Sequence, residues 1–269
     1  MSGSPKVSVI IPCFNHGEFL PQAVASVTSA HREDVELIVV DDGSTDQRTR
    51  AEMSKLESSD IRVIRQENKG LSAARNAGIR ACEAEYIFPL DADDRARPVS
   101  IERAIGILDA NAKTGIVYGD TELFGASAGR WVAHPFDLHQ LLQSNYIACS
   151  ALFRRAVWEQ IGGYDENMKQ GFEDWEFWLS AYQRGWQFTY IPEALFQYRQ
   201  RENSMLAQAR KVESSVAEYI VAKHAALYRR ECVQLAFERN SGKATFRNLR
   251  RIIAKRLKNK FGLNGNHAE

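Results

Sequence analysis

Three aspartates, Asp91, Asp93 and Asp94, crowd the stretch FPLDADDRARP directly after the apolar residues Tyr86, Ile87, Phe88 and Leu90. A single Asp at a strand end needs no more than a turn, where its oxygens accept from nearby backbone amides. Three together repel one another unless a cation or a firm set of donors sits among them. Magnesium and manganese take one or two carboxylates and complete their shell with substrate phosphates, so metal-assisted chemistry on a phosphate is what this grouping suits. A calcium loop is excluded. Asp91, Asp93 and Glu102 fall at its first, third and twelfth positions, but Ala96 stands where the loop needs Gly, Arg95 takes a ligand position and Pro98 breaks the spacing.

Two other segments carry chemistry at similar places. DDGSTD, residues 41–46, is good turn and N-cap material, yet its leading pair can also accept from a uracil ring N–H or a ribose hydroxyl. NKGLSAARN, residues 68–76, opens a helix with Gly70 and small residues, where free amides suit an anion and Arg75 supplies a forked donor. Glu173-Asp174 opens a third helix. Acids favour any helix N-terminus, but Tyr164, Phe172, Trp175 and Trp178 lie close in sequence and can wall a sugar-sized pocket. That setting puts Glu173, Trp175 and Tyr164 on an acceptor side, with Asp174 the candidate base.

These segments require elements to hold them. The β-branched run Val7 to Ile11 precedes a helical face of Phe19, Leu20, Ala23, Val24 and Val27. The unit recurs: Val35–Val40 then Thr49–Glu57, Ile61–Arg65 then Leu71–Ala84, Tyr86–Leu90 then Ser100–Ala112, and Ile116–Tyr118. Such a pattern predicts an α/β chain with a mostly parallel, Rossmann-like sheet flanked by helices, whose ligands bind beyond the carboxyl ends of the strands. Asn15, Asp41–Asp46, Asn68–Gly70 and Asp91–Asp94 all fall at those ends. Further on, Ser150–Phe153 reads as a strand, Trp175–Arg184 as a helix ended by Gly185, and Gln187–Ile191 and Leu195–Tyr198 as two short strands flanking Pro192. From about Asn203 the chain turns helical and polar. The expected division is therefore 1–202 for the catalytic part, with 6–120 binding nucleotide and 121–202 facing the acceptor, and 203–269 for a C-terminal helical extension.

Composition narrows the partners. Hydrophobic content of 44% and charged content of 26% are those of a globular chain. The net charge of +1 conceals a basic tail, because Arg239 to Lys260 holds nine Lys or Arg and none of the 34 acids. Phe246, Leu249, Ile253 and Leu257 form one helical stripe in that tail, suited to an anionic membrane surface or to packing on protein. Nucleic-acid binding is not expected, since the tail has few interleaved aromatics and the body is acidic. The start MSGSPKVSVIIPCFN has no secretory pattern, no run approaches the ~18 apolar residues of a span, and Cys13, Cys82, Cys149 and Cys232 are widely spaced. A cytoplasmic chain is expected, able to sit peripherally on the inner face of a membrane.

From Lys6 to Arg201 the ordered set VSVIIPCFN, VVDDGSTD, NKGLSAARN, FPLDADD, GGYDE and FEDWEFW resembles glycosyltransferase family 2, inverting enzymes with the GT-A fold. The resemblance implies a nucleotide-diphosphate sugar, most simply UDP-linked, as donor, and a carbohydrate or lipid-linked acceptor in polysaccharide or glycolipid synthesis. Pro12, Asn15, Asn68 and Gly70 would lie by the nucleotide, Asp42 would read a uracil or thymine ring, and Arg75 would approach the base or diphosphate. Asp91 would face the ribose, Asp93 and Asp94 would hold Mn2+ or Mg2+, and Asp174 would be the general base. One departure stands out: many family members place a His after a Tyr-Arg pair, where YRQRENS has Arg201, a group that cannot ligate metal. Arg201 or Arg199 would instead neutralise the diphosphate. Two other readings stay open. A sugar-nucleotide nucleotidyltransferase would need a Gly-rich loop after the first strand, where PCFNHGEF offers one Gly; a non-catalytic sugar-binding or scaffold module would be favoured by loss of the acids, all of which are present.

Overall fold

The computed structural model describes residues 4–30, 32–59, 61–201 and 213–240. β1 (Val7–Cys13) is buried along its whole length, as the central strand of a sheet covered on both faces must be. β2 (Val35–Asp41) and β4 (Tyr86–Pro89) pair parallel to it on either side, and β3 (Arg62–Arg65) extends the sheet beyond β2. The chain thus steps outward from β1 through β2 to β3 and returns to place β4 on the other flank. That reversal opens a crevice at the carboxyl ends of β1 and β4, where Asn15 and Asp91 lie. Helices α1 (Leu20–Thr28), α2 (Gln47–Glu57) and α3 (Leu71–Ala81) make the connections. Phe88 and Ile11 are wholly buried in the core that carries them, each worth roughly 1.5–3 kcal/mol of transfer free energy.

Beyond β4 the sheet becomes mixed. A two-residue β5 (Arg95–Ala96) follows the aspartates, then α4 (Pro98–Ala110), β6 (Thr114–Gly125), β7 (Gly129–Trp131), the short α5 (Leu138–Leu141), β8 (Leu152–Arg154), α6 (Arg155–Ile161), α7 (Glu173–Gln183) and β9 (Gln187–Gln200). Strand order is β3-β2-β1-β4-β8-β6-β9-β5, with β7 paired to β6. β8 runs antiparallel between β4 and β6, while β6 and β9 are parallel. The expected mostly parallel sheet flanked by helices is present.

Two details differ from expectation. Gln187–Ile191 and Leu195–Tyr198 are one strand, because the register jumps from Gly119↔Ile191 to Asp120↔Ala194 and so passes over Pro192 and Glu193. Proline is tolerated at such a bulge, where no ladder N–H is required. A Cβ on Gly119 would lie 2.1 Å from the Glu193 carbonyl, so only glycine permits that approach. The expected division at residue 120 is also crossed by β6, so the two expected parts share one sheet. The second consequence matters for the site: β5 pairs with β9 through Arg95↔Gln197 and Ala96↔Phe196, pinning the aspartate loop between two strands.

Two compact units are present, residues Met1–Glu218 and Tyr219–Glu269. The helices α8 (Glu213–Lys223) and α9 (Ala225–Asn240) lie across and after that division. Both the expected boundary at 202/203 and the basic stretch 246–263 lie outside the described residues. Among the described residues, no helix is long and apolar enough to cross a membrane.

Candidate active site

The aspartate loop is a cramped anionic turn. The Asp94 amide donates to the Asp91 carbonyl at 3.0 Å, which folds the three carboxylates together. Asp94 is fully buried; its Oδ1 accepts from the Arg199 amide at 2.8 Å, and its Oδ2 has no partner. Burial, and then the charges of Asp91 and Asp93, push its carboxyl far above the usual range. Asp93 is raised for the same reasons, burial first and Asp91 next, with His16 and Arg201 opposing. Arg201 Nη2 meets Asp93 Oδ2 at 2.6 Å, and Arg199 Nε holds the Asp93 carbonyl at 2.7 Å. Among the three, Asp91 is the most open, its side chain 27% exposed.

A buried guanidinium ties this loop to α7. Arg75 is 0% exposed; one Nη donates to Asp91 Oδ1 at 2.7 Å and the other to Glu173 Oε1. The ring of Tyr164 lies beneath it, 5.5 Å from the guanidinium carbon. Asp174, next to Glu173, is only half-buried. Its Oδ1 accepts from the Trp175 amide at 2.8 Å and its Oδ2 from Asn145 Nδ2 at 2.9 Å. Burial, then the Glu173 charge, pushes its carboxyl up to about 7, against the pull of Arg75, the Trp175 amide and Asn145. A half-buried carboxylate poised near neutrality is what a general base requires.

The loops after β1 and β2 are stitched together. Asn15, with φ of 56°, accepts on Oδ1 from the Thr45 amide at 2.8 Å and the Asp46 amide at 3.2 Å. Asp46 caps α2 by accepting from the Thr49 amide. Pro12 is buried within β1 opposite Val40. Gly43 has φ of 74°, and a Cβ there would lie 2.7 Å from the Asn68 amide nitrogen. Asn68 itself is exposed beside Gly70, whose φ of 93° starts α3.

A family model described as Glycosyl transferase family 2 matches residues 8–163, more than half of the chain. The chain belongs to glycosyl transferase family 2. Among the family's curated proteins it is 30% identical over 217 residues to the uncharacterized glycosyltransferase EpsJ of Bacillus subtilis, covering 75% of this chain and 63% of that protein. It is 31% identical over 188 residues to the uncharacterized glycosyltransferase RT0329 of Rickettsia typhi, covering 65% and 58%. The chain thus spans less than two thirds of these relatives. In fold it is similar to S. aureus TarS 1-349 solved with UDP-GlcNAc, with TM-score 0.62, 20% identity and coverage of 75% and 60%. Against the same protein with UDP the values are 0.60, 19%, 92% and 78%. The GT-A arrangement expected of a family 2 chain is borne out.

Within this family 2 site several of the candidate residues have partners in the protein itself. Asp42 is 3% exposed and already accepts from Gln66 Nε2 at 2.7 Å and from the amides of Lys69 and Gly70 at 2.9 Å each. It anchors the 66–70 loop. Arg75 has spent its fork on two carboxylates and offers no exposed donor to a diphosphate. Tyr164 and Trp175, each 2% exposed, are core and not pocket wall: Tyr164 stacks on Phe177 at 4.3 Å, and Trp175 Nε1 donates to the Leu141 carbonyl at 2.5 Å. Glu173, 4% exposed, is the counter-ion of Arg75. Four residues escaped the sequence reading: Asn145, His16, Cys149, whose Sγ lies 3.7 Å from Asp91 Oδ2, and Asn76. The last accepts from the Tyr164 amide and Trp158 Nε1 and donates to the Tyr164 carbonyl, clamping α3 to the segment that leads into α7. No spacing rule marks such partners, which lie far apart in sequence.

Proposed function

We propose that this chain is an inverting transferase that moves a sugar from a nucleoside-diphosphate donor, UDP-linked, to an acceptor hydroxyl, in the synthesis of a polysaccharide or glycolipid. The observation that carries the reading is Asp174, a half-buried carboxylate pushed up to about 7 and linked through Glu173 and Arg75 to Asp91 of the aspartate loop. TarS, which shares the fold, was solved with UDP-GlcNAc and with UDP, and this supports the donor class.

The aspartate loop fits a hard divalent ion. Its donors are all oxygen, burial and then the neighbouring charges raise the Asp93 and Asp94 carboxyls, and a buried Asp94 oxygen lacks any partner. Asp93 and Asp94 would hold Mg2+ or Mn2+, which when bound supplies charge to stabilise the departing diphosphate. Asp91, the most open of the three, is positioned to accept from ribose hydroxyls. Asp174 takes the proton of the acceptor hydroxyl as its oxygen attacks the anomeric carbon. The bond from that carbon to the diphosphate oxygen breaks on the opposite face, so configuration inverts. Asn145 and the Trp175 amide hold the carboxylate in place through the transfer.

The acid limb of the rate tests this. Asp174 must be ionised to accept a proton, so kcat/KM for UDP-sugar turnover should rise about tenfold per pH unit below pH ~7 and level off above it. A profile flat from pH 5 to 8 in wild-type protein would remove Asp174 from the role.

A further inference from the structure

Arg201 is paired with the carboxylate of Asp93. Its Nη2 is 2.6 Å from Asp93 Oδ2, and the pair is sheltered, with side chains 28% and 14% exposed. The same nitrogen lies 3.3 Å from His16 Nε2. Arg201 thus lies between a carboxylate and an imidazole from two different loops. The guanidinium also lies 4.9 Å from the Phe19 ring centre. The backbone at Asp93 is held, because Arg199 binds its carbonyl and the following Asp94 carboxylate.

We propose that Arg201 is a built-in counter-cation of the aspartate loop, which excludes a divalent ion from Asp93 until a nucleoside diphosphate gives the guanidinium another anion to bind. The inference rests on the donor reading above and adds an order of events to it. A bare cation must break a short charge-assisted pair. A diphosphate, by contrast, matches the forked donor of arginine and frees Asp93 to turn its charge on the metal. Metal and nucleotide then bind more tightly together than apart, and by linkage each strengthens the other by the same factor.

Electron paramagnetic resonance of Mn2+, titrated into the full chain with and without saturating UDP, tests this without any turnover. Wild-type protein should bind Mn2+ weakly alone and at least about tenfold more tightly with UDP, a difference of ~1.4 kcal/mol. Arg201→Gln should bind Mn2+ alone about tenfold more tightly than wild type and show little further gain from UDP. Arg201→Lys, which keeps a cation on Asp93, should stay close to wild type and controls for folding. Unchanged or weaker Mn2+ binding by Arg201→Gln without nucleotide would overturn the proposal. If UDP binds by calorimetry while Mn2+ binds to none of the proteins, the proposal falls and the donor reading stands. If UDP does not bind any of them, the donor reading falls first and the proposal with it.

Discussion

Asp174→Asn is expected to lower UDP-sugar turnover by about 10²–10⁴-fold, the range a positioned general base supplies, while donor affinity stays within about threefold. The replacement has the same shape, and its carbonyl oxygen can still accept from Asn145 or the Trp175 amide. What it loses is basicity: an amide does not take a proton near neutral pH. Stability should move the other way. A carboxyl held near 7 in the folded chain but near its ordinary value when unfolded makes the native state bind more protons between those limits. Stability from this group therefore declines as pH rises through that window. At pH 8 the wild type carries the full penalty, so the melting temperature of Asp174→Asn should equal or exceed that of wild type. Loss of turnover with a fall in melting temperature would point to a broken fold, and turnover within threefold of wild type would refute the assignment.

Arg75→Met should destabilise the protein by roughly 3–5 kcal/mol, the cost of stranding a buried charge. Glu173 is nearly inaccessible and has Arg75 as its ion-pair partner, while Asp91 shares the same guanidinium. Methionine fills much of the volume and supplies no donor. Urea unfolding of the single variants and of Arg75→Met/Glu173→Gln separates the contributions. The double variant should recover part of the loss, because the amide leaves no unpaired carboxylate. A change below about 1 kcal/mol in Arg75→Met, within the range of ordinary surface substitutions, together with weakened donor binding, would instead make Arg75 a ligand contact and contradict its buried role.

The strand ends were legible because each is an apolar run closed by a polar cluster, and that contrast depends only on near neighbours. Val7–Cys13 followed by Asn15, and Tyr86–Pro89 followed by Asp91, needed no tertiary information. Asp174 was legible for a related reason, as an acid at the start of a strongly aromatic helix. The internal partners of Arg75, Asp42, Tyr164 and Trp175 were not legible because they are remote. Glu173 lies 98 positions from Arg75, and the donors to Asp42 lie 24 to 28 positions away. A polar residue in a motif looks alike whether it faces a ligand or is consumed by its own protein. Local pattern does not distinguish the two. β9 was read as two strands because Pro192 normally ends a strand, and only the register with β6 shows the bulge that absorbs it. Asn145 sits in a stretch with no periodicity at all, yet it holds the proposed base.

The claim that the crevice at the ends of β1 and β4 binds a nucleoside-diphosphate sugar is tested most directly by calorimetric titration of the wild-type chain with a panel of UDP- and dTDP-sugars, each with Mn2+ and with chelator. The account predicts saturable binding of at least one UDP-sugar, stronger with Mn2+, with that Mn2+ enhancement abolished in Asp93→Ala. Absence of binding across the whole panel with Mn2+ present would contradict it.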